Sequence, residues 1–159
     1  IGVSIAHTRE ELRSALSAAA RESSRAVVEQ YIAGREVQIG ILAGKPLPSI
    51  EIRPLVGFYD YRNKYQAGAA EEITPAPIPA ETEERVARTA MTVYTALGLS
   101  AISRADFILD AEGRLWFLEI NTLPGMTPTS LVPQEAAVLG ISYPELCQRI
   151  IDASLEKYA

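Results

Sequence analysis

The chain has 159 residues, of which 48% are hydrophobic and 22% charged, an ordinary balance for a soluble globular fold of one domain or two small lobes. A net charge of −5 leaves no clustered cationic surface for a nucleic-acid backbone, and no apolar run nears the roughly 18 residues that span a bilayer, so neither nucleic acid nor membrane is an expected partner. One cysteine, Cys147, and one histidine, His7, leave no intrachain disulfide and no zinc site of the usual nitrogen–sulfur type, so the expectations are a reducing, cytoplasmic setting and any metal held by oxygen.

Thr8-Arg9-Glu10-Glu11 has the Thr-x-x-Glu form of a capping box, and Leu12, Ala15, Leu16 and Ala19 follow at helical spacing, which predicts a helix over residues 8–22. The β-branched runs 26–32, 37–42 and 50–52 are separated by Ala33-Gly34-Arg35 and Gly44-Lys45-Pro46, the pattern of an antiparallel meander. Residues 53–79 show no sustained period. They hold Phe58, Tyr59, Tyr61 and Tyr65, four of the eleven aromatic residues, where disorder would favour few; a functional loop is the expectation. Acidic residues open a helix after Pro79 that turns Val86, Ala90, Val93 and Leu97 inward and stops at Gly98. Strands are predicted at 101–109 and 114–120. After a second long loop, Ser142-x-x-Glu145 caps a final helix that carries Cys147 toward the core.

The hairpin 103–121 carries the chemistry. Asp110-Ala111-Glu112-Gly113 reads as a four-residue turn that sets Leu109 opposite Arg114, Arg104 opposite Glu119 and Asp106 opposite Phe117. Opposed residues share a face, so one face is expected to hold Arg104, Asp106, Glu119 and Asn121, with Ile108, Leu115 and Phe117 beside them. The other face then holds Ala105, Phe107, Leu109, Trp116, Leu118 and Ile120. A solvated face with an Arg104–Glu119 ion pair would also fit this pattern. Against that, Asp106, Glu119 and Asn121 form a compact set of hard oxygen ligands, and magnesium takes one or two carboxylates plus substrate phosphates and water. Pro124-Gly125 forces a turn directly beyond this face, where a glycine lets a backbone N–H approach a ligand closely.

Arg104-x-Asp106, then Leu118-Glu119-Ile120-Asn121-Thr122-Leu123-Pro124-Gly125-Met126-Thr127 and Ser130-Leu131-Val132-Pro133, strongly resemble the signature of D-alanine–D-alanine ligases of the ATP-grasp superfamily. Phe58-Tyr59-Asp60-Tyr61-x-x-Lys64-Tyr65 is similar to that family's mobile lid, and Glu29-x-x-Ile32 with Gly34-Arg35-Glu36 to its nucleotide-binding strand and turn. The resemblance implies an α+β ATP-grasp fold of antiparallel sheets with flanking helices, residues 1–55 belonging to the central nucleotide-binding lobe and 56–159 to the catalytic lobe, with a lid at 56–79.

The resemblance also implies ATP with two magnesium or manganese ions on Asp106, Glu119 and Asn121. Glu29, Ile32 and Glu36 would sit at adenine and ribose, Phe58 against the base and Lys64 on the phosphates. Arg104 and the Gly125 N–H would hold the oxyanion, Ser130 and Leu131 the carboxylate of the second D-alanine. Tyr65 would favour an amine over a hydroxy-acid acceptor, since a histidine there could carry positive charge against the incoming ammonium. The implied reaction joins two D-alanine molecules through an acyl-phosphate, for peptidoglycan synthesis, in an enzyme expected to be homodimeric. The opening Ile1-Gly2-Val3-Ser4 looks like the tail of a phosphate loop. The chain is therefore expected to be a fragment without the first-substrate site, inactive by itself. Another ATP-grasp carboxylate–amine ligase, a D-alanine–D-lactate ligase, or a non-catalytic nucleotide-binding module are the alternatives.

Overall fold

The structure, a computed structural model, describes residues 2–54 and 70–156. They form two compact units that divide between Ile32 and Ala33. In the first unit, α1 (Arg9–Glu22) starts where the capping box places it. The Glu11 N–H donates to Thr8 Oγ1 at 3.1 Å and the Thr8 N–H to Glu11 Oε2 at 3.1 Å, so two otherwise orphaned donors are satisfied reciprocally. The strand expected at 26–32 does not form. Val27 and Val28 are exposed and Ile32 is half-buried, and no described strand lies beside the run to complete a ladder. β-propensity of this kind is expressed only against a neighbour.

The second unit is built on a sheet of β1 (Arg35–Leu42), β2 (Lys45–Pro46), β3 (Ile50–Pro54), β4 (Ala70–Ile73), β5 (Ile102–Leu109) and β6 (Leu115–Asn121). Its path runs β4-β3-β1-β5-β6, with β2 hairpinned onto the end of β1 and every pairing antiparallel. Among the described residues four helices accompany the sheet: α1 in the first unit, and α2 (Ala80–Ala96), α3 (Leu131–Val138) and α4 (Tyr143–Leu155) here. β4 occupies a stretch expected to belong to the lid; its residues 70–73 pair with β3 instead. The helix α3 was expected to be loop. Its Pro133 sits in the first turn, where a missing N–H costs nothing because no intrahelical acceptor is available there.

The two faces of the sheet differ. Val37, Ile39 and Ile41 of β1 share a face with Ala105, Phe107 and Leu109 of β5, and this face packs on Val86, Ala90 and Tyr94 of α2. Tyr94 takes the inward place expected of Leu97, which lies exposed at the helix C-cap. On the opposite face, Leu42 and Ile102 are covered by Val132 and Ala136 of α3, Ile141 of the connection that follows and Leu146 of α4, and Ile50 and Ile52 of β3 are covered by Leu131. Between these two apolar patches the face is polar. The register aligns Glu36, Gln38 and Gly40 of β1 with Ile108, Asp106 and Arg104 of β5, and Asp106 and Arg104 with Glu119 and Asn121 of β6.

Candidate active site

The hairpin brings Arg104, Asp106, Glu119 and Asn121 to one face, but in a different register from the one expected. Arg104 pairs with Asn121 and Asp106 with Glu119. Two local features move the pairing. The turn closes on Asp110 and Arg114, the Asp110 N–H donating to the Arg114 carbonyl at 3.0 Å with Gly113 at φ 76°, so the loop between them is three residues long. Farther down, Phe107 pairs with Phe117 while Asp106 pairs with Glu119, so Leu118 is an extra residue bulged out of β6. A shift of one residue turns side chains to the other face. Near the tip, Leu115 and Phe117 therefore join the core face, Phe117 edge-to-face on Phe107 at 5.6 Å, and Trp116 stands on the polar side opposite Ile108. At the root the second shift restores the original face.

Arg104 and Asp106 are both buried, and the guanidinium grips the carboxylate twice, Nε to Oδ1 at 2.8 Å and Nη2 to Oδ2 at 2.9 Å. Burial alone would lower the Arg104 pKa; the Asp106 hydrogen bonds and the charges of Asp106, Glu135 and Glu119 outweigh it and raise the pKa, so the residue is a permanent cation. Asn121 Nδ2 reaches both carboxylates, Asp106 Oδ2 at 3.2 Å and Glu119 Oε1 at 3.0 Å, which keeps those two oxygens within about 6 Å of each other. Across β1, Gln38 Nε2 donates to Glu36 Oε1 at 2.9 Å, so Glu36 joins the polar face next to Asp106.

No cluster of three or more His, Cys, Asp or Glu side chains suited to a metal occurs among the described residues. Magnesium needs fewer, since phosphates and water complete its shell. Asp106, Glu119 and the Asn121 amide fit that requirement. Asp106 Oδ2 already accepts from both Arg104 and Asn121, while Glu119 Oε1 accepts from Asn121 alone; a half-turn of the Asn121 amide withdraws Nδ2 from both carboxylates and presents Oδ1 in its place.

The loop 122–130 leads from β6 to Leu131, which packs over Ile50 and Ile52 of β3, and so borders the polar face. Ser130 Oγ accepts from the Thr127 N–H at 3.0 Å and shares a hydrogen bond with Thr127 Oγ1 at 2.8 Å. A Cβ on Gly125 would meet Ser130 Oγ at 3.1 Å, so this fold of the loop favours glycine there. The Tyr143 hydroxyl of α4 donates to the Met126 carbonyl and holds the turn from outside. Because Ser130 makes no side-chain cap, the first N–H groups of α3 have neither an intrahelical acceptor nor a capping one, the usual condition for binding an anion. Leu131 itself is buried, so only its backbone is available to a ligand.

Glu29, exposed, and Ile32, half-buried, lie in the irregular end of the first unit, while Phe58, Lys64 and Tyr65 lie outside the described residues. Three residues went unmarked in the sequence. Gln38 interrupts the apolar run Val37-Gln38-Ile39, which was a usable signal. Tyr143 reads only as part of a helix start. Glu135 looks like a solvated helical position in Pro133-Gln134-Glu135-Ala136, yet it is fully buried; burial drives its pKa well above the ordinary carboxylate range, against the opposing pull of the Gly40 N–H and Arg104.

The chain matches the family described as D-ala D-ala ligase C-terminus over residues 1–152. The D-alanine–D-alanine ligase of Anaeromyxobacter sp. (strain Fw109-5) is 46% identical over 157 residues, 99% of this chain and 51% of that protein. That of Oleidesulfovibrio alaskensis is 49% identical over 146 residues, 91% of this chain and 47% of that protein. The crystal structure of the Bacillus anthracis D-alanine–D-alanine ligase complexed with ATP superimposes with a TM-score of 0.84 at 39% identity, covering 98% of this chain and 51% of that one. The chain thus spans about half the length of the relatives it matches. No helix of the described residues is long and apolar enough to cross a membrane. With its polar face of Arg104, Asp106, Glu119 and Asn121 set in an antiparallel sheet with flanking helices, the chain belongs to the C-terminal family of D-alanine–D-alanine ligases and has their α+β, ATP-grasp fold.

Proposed function

We propose that this chain supplies the catalytic half of an ADP-forming D-alanine–D-alanine ligase that makes peptidoglycan precursor in the cytoplasm. The observation that carries the proposal is the convergence of a buried, permanently charged Arg104 with Asp106, Glu119 and Asn121, directly before a glycine turn and an uncapped helix N-terminus. ATP and D-alanine are the substrates; Asp106, Glu119 and Asn121 would hold magnesium or manganese, which would supply Lewis-acid neutralisation of phosphate charge. Arg104 offers its guanidinium to the oxygen that becomes negative when the acceptor amine attacks the acyl-phosphate, and the Gly125 N–H is the second donor. The N–H groups at the start of α3, with the Ser130 hydroxyl, take the carboxylate of the acceptor D-alanine.

By the resemblance of their motifs, Glu29, Ile32, Glu36 and Phe58 hold the nucleoside, Lys64 the phosphates, and Tyr65 favours an amine acceptor; the whole enzyme works as a homodimer. The test is ADP release and product analysis with the full-length protein, ATP and magnesium. D-alanine is expected to give dipeptide, and D-lactate or L-alanine to compete poorly at neutral pH. Depsipeptide as the main product at equal D-alanine and D-lactate, or ADP release indifferent to D-alanine, would refute the proposal.

A further inference from the structure

Glu135 is fully buried on α3, yet only one of its oxygens is used. Oε2 accepts the Gly40 N–H at 2.8 Å, while Oε1 has no hydrogen-bond partner. The position of Gly40 explains the contact. The β1–β3 ladder ends at Gln38 and Ile50, and the Gly40 carbonyl accepts from the Leu47 N–H at 2.9 Å, so the Gly40 N–H faces a side from which β3 has departed. The carboxyl of Glu135 stands in for the missing strand. The fit leaves no spare room: a Cβ on Gly40 would come within 2.5 Å of Glu135 Oε2 and 2.9 Å of Leu47 Cδ1.

A carboxyl is a poor choice if stability alone is served. Burying it is unfavourable, and an apolar residue of similar size would pack against Leu47 and Val132 without that cost. What the carboxyl adds is direction. Leu131, Val132, Pro133 and Ala136 already bury α3, but apolar contact fixes neither its rotation nor its position along its axis. A hydrogen bond with a narrow range of distance and angle fixes both. The residue it grips is Gly40, the ladder partner of Arg104. The two ends of the brace therefore carry Ser130 and Leu131 on one side and Arg104 on the other.

We propose that Glu135 is a positioning residue that holds the acceptor-binding start of α3 in register with Arg104, so that acceptor and oxyanion meet at the right separation. This rests on the ligase reading above. The brace serves the acceptor step, because α3 carries the acceptor-binding backbone, whereas the proposed metal-binding residues Asp106, Glu119 and Asn121 lie on β5 and β6.

The experiment uses the full-length ligase that carries this chain, with the KM for ATP and for each D-alanine measured beside a thermal melt. Glu135→Ala is expected to raise the KM of the acceptor D-alanine by about tenfold or more, since small misplacements of a bound reactant are costly, and to leave those of ATP and the first D-alanine within about twofold. Glu135→Gln keeps a side-chain carbonyl for the Gly40 N–H and is expected to restore the acceptor KM. Gly40→Ala, which displaces the carboxyl without removing it, is expected to reproduce the split and decides the matter if Glu135→Ala does not fold. Equal change in all three KM values, no change, or a Gln variant as impaired as Ala overturns the inference. Absence of dipeptide from the wild type defeats the ligase reading instead.

Discussion

The root and the tip of the β5–β6 hairpin each place carboxylates beside an arginine, and they are built to different ends. At the tip, Asp110 accepts from the Glu112 N–H at 3.1 Å, the Arg114 N–H at 2.8 Å, Arg114 Nε at 2.7 Å and Trp116 Nε1 at 2.8 Å. Every partner lies within six residues of it, and Arg114 also stands over the Trp116 ring at 5.7 Å. This is a closed network that completes a turn. At the root, by contrast, Glu119 is exposed and receives a bond from Asn121, and the four side chains come from two strands. Local, saturated bonding stabilises a fold; convergent, unsaturated bonding on a rigid sheet leaves capacity for a ligand. On the proposed function, the two ends of one hairpin separate stability from chemistry.

That separation can be broken most directly at Glu119. Glu119→Gln keeps size and the hydrogen bond to Asn121 but removes one carboxylate of the proposed metal set. Turnover by the full-length enzyme is expected to fall at least about a hundredfold, the scale of losing one preorganised electrostatic contact in an active site, with an unchanged thermal midpoint. A melt lowered in step with activity would mean that the root, too, is structural.

The tip should behave in the opposite way. Asp110→Ala removes the carboxylate that accepts four hydrogen bonds in the turn and is expected to lower the midpoint by several degrees while kcat/KM stays near wild type. The effect has a pH signature. Burial alone would raise the Asp110 pKa, but hydrogen bonds from Trp116 and Arg114 dominate and hold it at about 2, below the ordinary 3.8. The unfolded chain thus binds the proton more readily than the folded one, so the contribution of Asp110 is complete above its ordinary pKa and fades as pH falls toward about 2. Melting midpoints of wild type and Asp110→Asn should converge on acidification below pH 4. A gap that is constant or grows in acid contradicts the assignment.

How far such features could be read from the sequence depends on how local they are. The capping box of α1 is decided by Thr8 and Glu11, three residues apart, and it formed as expected. The polar face of the hairpin root was legible because strand alternation survives two compensating one-residue shifts. The intermediate register was not: nothing in Leu118 marks a bulge, and Asp110-Ala111-Glu112-Gly113 fits both a three- and a four-residue loop. The run 26–32 has strand composition but no described partner, which a single segment cannot disclose. The burial of Glu135 depends on Gly40, 95 residues away, and on where β3 leaves β1, so it became visible only in three dimensions.

The smallest effect is expected from the second ion pair of Arg114, and it sharpens the comparison within the tip itself. Arg114 Nη2 lies 3.0 Å from Glu112 Oε2, and Arg114 Nε lies 2.7 Å from Asp110 Oδ2, so distance alone ranks the two as near equals. Exposure does not. The Glu112 side chain is 65% exposed and that of Asp110 5%. An exposed pair gains little attraction in water, orders two long side chains, and is screened by salt. Glu112→Gln also leaves untouched the Glu112 N–H that Asp110 accepts, along with the Arg114 bonds and the Trp116 contact. Its thermal midpoint is therefore expected to stay within about a degree of wild type at low and at high salt. If it instead fell as far as that of Asp110→Ala, and recovered with salt, the tip would be held by charge rather than by the buried hydrogen bonds of Asp110.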